Sequence, residues 1–369
     1  MIPRQIIELR IGCPEEPTPP SNAKPPLQGL CLRQHEWMQN MDNPDLNFYR
    51  HVNSIVIRVY MKHIWVAENR FEFGIFRDMF AWGRKMQAQH GIIPHFKIRI
   101  VPGAFAPDWL MTAVGKFPLE KGGYETTPGF EHASDYCPMF WTSMYLDYWE
   151  QLMQAISAEF DDEPLLSEVT VTATAPGTGE PMIFGIGNSG DSQTRLRQYI
   201  TAGATSENIL AAIYRSIDIM DCFARTNIGI PLTEYQHMVD PTFHENETSY
   251  EIGNYMAEKY RSRCVLGNNG LRVPESENGQ HWIPVTGRMW QLQMHYIYMK
   301  LKYGSRIYNQ TASENQMGGY ENLIPTLNAG LGYLDGLVEL PGSEGNIKQT
   351  LSPATLALYN HLYRKNEPN

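Results

Sequence analysis

Two rhythms alternate along this chain. Short runs rich in β-branched residues read as strands, and stretches with apolar residues three and four apart read as helices. The clearest early strand is Ser54-Ile-Val-Ile-Arg-Val-Tyr60. Its β-branched run indicates burial on both faces, as in a parallel sheet. A helix is expected around Phe73–His90, where Phe76, Met79, Phe80, Gly83 and Met86 fall at helical spacing and Gly91 supplies the stop. Further strands are read at Gly29–Arg33, Pro94–Val101, Val169–Thr174, Gly229–Tyr235, Arg263–Gly267, Ser305–Gln310 and Asp335–Glu339. Helices are read at Ser143–Phe160, Gln193–Thr201, Thr205–Thr226 (with Ser206 as its cap), Asn254–Tyr260, Trp290–Tyr303, Tyr320–Leu331 and Pro353–Arg364.

Strand followed by helix, repeated, predicts a parallel sheet. Eight strand candidates favour a closed (β/α)8 TIM barrel over an open doubly wound sheet. A length of 369 residues suits one such α/β barrel with long loops between strand and helix. The stretch between Trp109 and Trp141 is the longest of these loops, Gly-rich and aromatic. No internal repeat and no second core is visible, so residues 28–369 read as a single barrel domain. Residues 1–27 are Pro-rich and polar and read as an extended lead-in.

Composition narrows the function classes. A net charge of −10 argues against nucleic acid or an anionic membrane as the main partner. No apolar run approaches the roughly 20 residues of a membrane span. The N-terminus shows no charged region followed by a long apolar stretch. A cytoplasmic location is therefore expected for the chain as it stands, or secretion if a leader has been removed. The five Cys are scattered and odd in number, without a CxxC pair, which fits free buried thiols. Eleven His lack metal-ligand spacing, and neither a metal nor a cofactor is expected. Oligomeric state is left open. Gly185-Ile-Gly-Asn-Ser-Gly190 matches GxGxxG but follows a loop instead of closing a strand-to-helix turn. His35-Glu36 has Gln39 where the second His of HExxH would stand.

In a barrel, polar residues at the C-terminal ends of the strands point into the site. Here they are Tyr60, Arg99, Glu180, Glu234, Asn269, Gln310, Glu314 and Glu339. Four carboxylates at one rim are the main chemical signal. Glycoside hydrolysis needs two, one protonated to serve the leaving oxygen and one ionised to attack carbon or activate water. Glu180 follows the strand Val169-Thr-Val-Thr-Ala-Thr and the Pro176-Gly177 break. Glu339 sits inside the apolar Leu-Val-Glu-Leu, where a carboxylate is costly unless paired. Arg99, Asn269 and Gln310 are the expected hydroxyl ligands, with Tyr60, Glu234 and the loop aromatic Trp109 as further substrate contacts.

Four segments carry a family resemblance. They are Arg99-Ile-Val-Pro-Gly-Ala-Phe-Ala-Pro-Asp-Trp109, the Val-Thr-Ala-Thr run leading to Glu180-Pro, Tyr-Asn-Gln310-Thr-Ala-Ser and Leu-Val-Glu339-Leu-Pro. Together they resemble TIM-barrel glycoside-hydrolase-like proteins, related in outline to clan A-type retaining glycosidases. The similarity is diffuse and runs from about residue 54 to 345. It implies a glycosidase acting on a poly- or oligosaccharide, with Glu180 as acid/base and a second carboxylate at Glu339 or Glu314. In clan A-type enzymes an Asn precedes the acid/base and the nucleophile ends strand seven; here Gly179 precedes Glu180, and Glu314 lies four residues beyond Gln310. The competing expectation is a barrel that binds carbohydrate, or serves a structural role, without catalysis.

Overall fold

The structure, a computed structural model, describes residues 22–33, 41–119, 133–177, 179–181, 192–240, 244–272, 288–333, 335–341 and 344–365. Most of the Pro-rich lead-in, the His35-Glu36 loop and the Gly185–Gly190 match lie outside them.

Eight parallel strands close a barrel: β1 (Gly29–Arg33), β2 (Ser54–Tyr60), β3 (His95–Val101), β4 (Leu166–Thr170), β5 (Asn227–Pro231), β6 (Cys264–Leu271), β7 (Arg306–Thr311) and β8 (Leu337–Leu340). Each pairs with its sequence neighbours, and β1 closes the ring on β8 in the register Cys31↔Glu339. This is the (β/α)8 fold that the alternation of rhythms predicts. The main helices are α1 (Gly74–His90), α2 (Ser143–Phe160), α3 (Ser206–Ile219), α4 (Glu247–Tyr260), α5 (Arg288–Tyr303), α6 (Leu323–Gly332) and α7 (Pro353–Lys365). No helix of the described residues is long and apolar enough to cross a membrane.

The β-strand period of two divides each strand between two environments. On β2, Ile55, Ile57 and Val59 join the large core between barrel and helices. On β3, Phe96 meets Phe80 of α1 edge-on, and Phe80 packs in turn against Phe160 of α2. The alternate residues Cys31, Val56, Val265, Tyr308 and Leu337, with Leu27, form a second, inner cluster inside the ring. Residues 22–27 lie against the N-terminal end of the ring. The buried Lys24 ammonium donates to the Phe160 and Glu163 carbonyls, and Asn227 of β5 donates to the Lys24 carbonyl.

Several element bounds differ from the sequence reading. β4 begins at Leu166 and leaves the ladder after Thr170, although β-branched residues continue to Thr174. A turn takes over there, with the Ala175 amide donating to the Thr172 carbonyl. β5 starts two residues earlier than expected, because Asn227 pairs with Glu168, and it ends at Pro231. α3 stops at Ile219, and its cap is Thr205, not Ser206. The Thr205 hydroxyl accepts from Asn208, and the Asn208 side chain accepts from the Thr205 amide, satisfying two end groups reciprocally. The region after Pro107, read as loop, contains a helix at Asp108–Val114 and a hairpin of Lys116–Pro118 with Tyr136–Pro138. Cys31, Cys137 and Cys264 are buried and Cys222 half-buried, and all four are free thiols.

Candidate active site at the barrel mouth

The inward face of β3 is the organising element. Its sequence His-Phe-Lys-Ile-Arg-Ile-Val places Lys97 and Arg99 two apart, so both enter the ring while Ile98 and Ile100 pack outside. β3 and β8 are not neighbours, yet Arg99 donates to Glu339 Oε1 at 2.6 Å and Lys97 approaches the same oxygen at 3.2 Å. These bonds cross the lumen. Lys97 also lies 2.6 Å from Glu168 of β4 and 3.5 Å from the ring centre of Tyr308 on β7. Lys97 and Glu339 have no exposed surface. Ions removed from water this completely persist only when paired, and each of them is. Room for the cluster comes from glycines on the adjacent strands. A Cβ at Gly229 would stand 2.1 Å from Glu168 Oε1, and one at Gly267 would stand 1.9 Å from the Tyr308 ring.

Above this cluster Arg99 reaches the mouth. Its second Nη donates to Gln310 Oε1 at 2.8 Å. Glu180 stands beside it, half-buried, where Arg99 and the Asn269 side chain both favour its ionised form. The main chain carrying Glu180 is tied at several points. Thr174 Oγ1 donates to the Pro181 carbonyl, the Ala104 amide donates to the Pro176 carbonyl, and the Tyr145 hydroxyl donates to the Ala173 carbonyl. Gly103, at φ 63°, permits the second of these contacts, since a Cβ there would meet the Pro176 oxygen at 2.0 Å. Gly179 serves a similar purpose next to the carboxyl itself: its Cβ would fall 2.9 Å from Arg99 Cδ. Where the resemblance calls for Asn before Glu180, glycine lets the backbone pass over the arginine stem.

The two carboxyls around Arg99 titrate in opposite directions. Burial pushes Glu180 above the ordinary carboxylate value, and Arg99 and Asn269 pull it back only in part. Burial acts on Glu339 in the same sense, but Arg99 and Lys97 outweigh it and hold Glu339 below that value. Glu168 is raised by its burial, with Lys97 opposing. Glu339 Oε2 has no hydrogen-bond partner among the described residues.

Five of the residues singled out in the sequence thus converge: Arg99, Glu180, Asn269, Gln310 and Glu339. The surroundings of the other four differ. Tyr60, half-buried at the end of β2, stacks on Phe105 at 4.0 Å between ring centres. Trp109 packs edge-on against the buried Trp65 and donates to its carbonyl oxygen. Glu234 is half-buried beyond β5, and Glu314 is exposed at the start of a short helix after β7. Lys97 and Glu168 were missed from the sequence. The signal for Lys97 was present, as a charge two residues from Arg99 in an apolar strand. Glu168 lies just ahead of the Val169 run, outside the strand as read.

The geometry defines a class: a TIM barrel with a polar site at the C-terminal mouth of its strands, over a buried ion cluster. No protein-family model matches the chain, and no curated protein matches its sequence. Among solved structures it is similar in fold to clan A-type glycosidases. Endo-glycoceramidase II from Rhodococcus sp., in complex with a five-membered iminocyclitol, superposes with a TM-score of 0.51 at 12% identity, covering 94% of this chain and 81% of that one. The cold-adapted β-galactosidase from Rahnella sp. R3 gives a TM-score of 0.54 at 9% identity, covering 92% of this chain and 57% of that one. At such identities the likeness is one of fold.

Proposed function

We propose that the barrel mouth cleaves a glycosidic bond of a poly- or oligosaccharide, with Glu180 as general acid and Glu339 as the second carboxylate. The observation that carries this reading is the opposed titration of two carboxyls around one guanidinium, Glu180 raised and Glu339 lowered. That partition matches the two roles the reaction requires: a group that holds its proton for the leaving oxygen and a group that stays ionised. Asn269, Gln310 and Arg99 offer amide and guanidinium donors to sugar hydroxyls. The glycosidases that share the fold add support. Because Glu339 has no exposed surface, its contact with a sugar requires the side chains that cover it to move. Glu314, exposed at the rim, is the alternative second carboxylate.

A second reading, a barrel that binds carbohydrate without cleaving it, is favoured by that same burial of Glu339. A screen of oligosaccharides and aryl glycosides separates the two. Turnover that falls about 10²–10⁴-fold in Glu180→Gln, the usual worth of a general acid, supports the hydrolase. Oligosaccharide binding by the native chain with no turnover of any substrate supports the second reading and sinks the first.

A further inference from the structure

We propose that a cavity at the opposite, N-terminal end of the barrel binds a phosphomonoester through Arg50, Arg364 and His95. The cavity measures about 380 Å³ and opens where β2 and β3 begin, at Asn53, Ser54 and His95. That volume falls in the range of small-molecule sites. No Asp or Glu lines it among the described residues, in a chain whose net charge is −10. Two guanidinium groups without carboxylate partners, those of Arg50 and Arg364, line it. The Arg50 side chain makes no hydrogen bond or ion pair among the described residues, and Arg364 donates only to the neutral side chains of Asn53, at 2.9 Å, and Asn360, at 3.4 Å. His95, half-buried, has one ring nitrogen 3.4 Å from Ser167 Oγ; the other has no partner among the described residues.

The choice of ligand follows from these donors. Planar guanidinium forks match phosphate oxygens in pairs, and donors from three sides suit the three terminal oxygens of a phosphomonoester better than the two of a planar carboxylate. An apolar wall, including Pro25 and Ile92, faces the same space and suits the organic body of a phosphate ester. Burial, with Arg364 adding to it, holds His95 below its ordinary value, and burial also lowers Arg364. A bound anion relieves both. This site lies at the other end of the strands from Glu180 and does not depend on the glycosidase reading.

Calorimetric titration of the full chain with phenyl phosphate, inorganic phosphate and benzoate tests it. Phenyl phosphate is expected to bind at one site, and Arg50→Glu to weaken it by about tenfold or more, the worth of one charge-assisted hydrogen bond. Arg50 is exposed and unpartnered, so folding is expected to survive that change. Hydrogen-exchange protection on binding is expected at residues 50–54 and 91–95. Inorganic phosphate binding as tightly as phenyl phosphate identifies free phosphate as the source of the same chemistry, and weaker binding identifies an ester. Absence of binding, equal affinity in Arg50→Glu, benzoate binding as tightly as phenyl phosphate, or protection elsewhere would each overturn the proposal.

Discussion

Replacing Lys97 by Met is the sharpest structural perturbation available in this barrel. Lys97 has no exposed surface and serves two carboxylates, Glu168 at 2.6 Å and Glu339 at 3.2 Å. Methionine fills similar space but supplies no charge. Glu339 keeps Arg99, whereas Glu168 loses its ion-pair partner. Removing one member of a buried pair typically costs about 3–5 kcal/mol, because the remaining charge is left desolvated. The double variant Lys97→Met/Glu168→Gln removes that stranded charge and is expected to recover most of the loss. Glu168 already binds its proton more tightly than an exposed carboxyl does. Without Lys97 its affinity rises further, so the folded state holds a proton that the unfolded state releases. The cost is therefore smallest below about pH 4.5, grows as pH rises from there to the folded value, and levels off above it. Guanidinium denaturation followed by far-UV circular dichroism and Trp fluorescence measures these differences where the two transitions coincide. A loss under about 1 kcal/mol, or a double variant no more stable than the single, would mean that Lys97 does not hold Glu168 as a buried ion.

Other outcomes follow from the same geometry. Gly229→Ala drives a methyl group into Glu168 Oε1, and an unfolding free energy lowered by about 1–3 kcal/mol is expected, the usual range for overpacking. Glu339 is held below the ordinary carboxylate value of 4.5, so its contribution is fully present above that pH and is lost as pH falls through the folded value. Glu339→Gln is therefore expected to flatten the acid limb of a stability-versus-pH curve. Gly103→Ala, forced from φ 63° and against the Pro176 oxygen, is expected to shift the Glu180 main chain and to lower turnover more than stability, measured as kcat beside the denaturation midpoint.

Much of the barrel was legible in the sequence because its strands bury both faces. Gly29–Arg33 and Ser54–Tyr60 could be read at their observed bounds from apolar continuity alone. Where polar residues carry the ladder, legibility fell. β5 begins at Asn227, whose side chain donates to the Ser167 carbonyl across the strand pair, a tertiary contact that propensity does not encode. The two- and three-residue hairpins, such as Trp65–Ala67 with Arg70–Phe71, are too short to leave a period. At the site, the polar strand ends led to Arg99, Asn269, Gln310 and Glu339, because inward orientation at a strand end follows from the period of two. Glu168 was hidden by the misplaced start of β4. The four-residue spacing of Gln310 and Glu314 gave no sign that the chain turns into a short helix there, with Glu314 exposed at its start.

The proposed chemistry turns on Glu180 as proton donor. It is tested by comparing native protein and Glu180→Gln on two glycosides of one sugar that differ in leaving-group acidity. A poor leaving group needs the proton and a nitrophenolate does not. If Glu180 donates, Glu180→Gln loses about 10²–10⁴-fold in kcat/KM on the first and far less on the second, and the alkaline limb of the native pH profile disappears. Equal losses on both substrates, or an unchanged pH profile, would exclude Glu180 as the general acid.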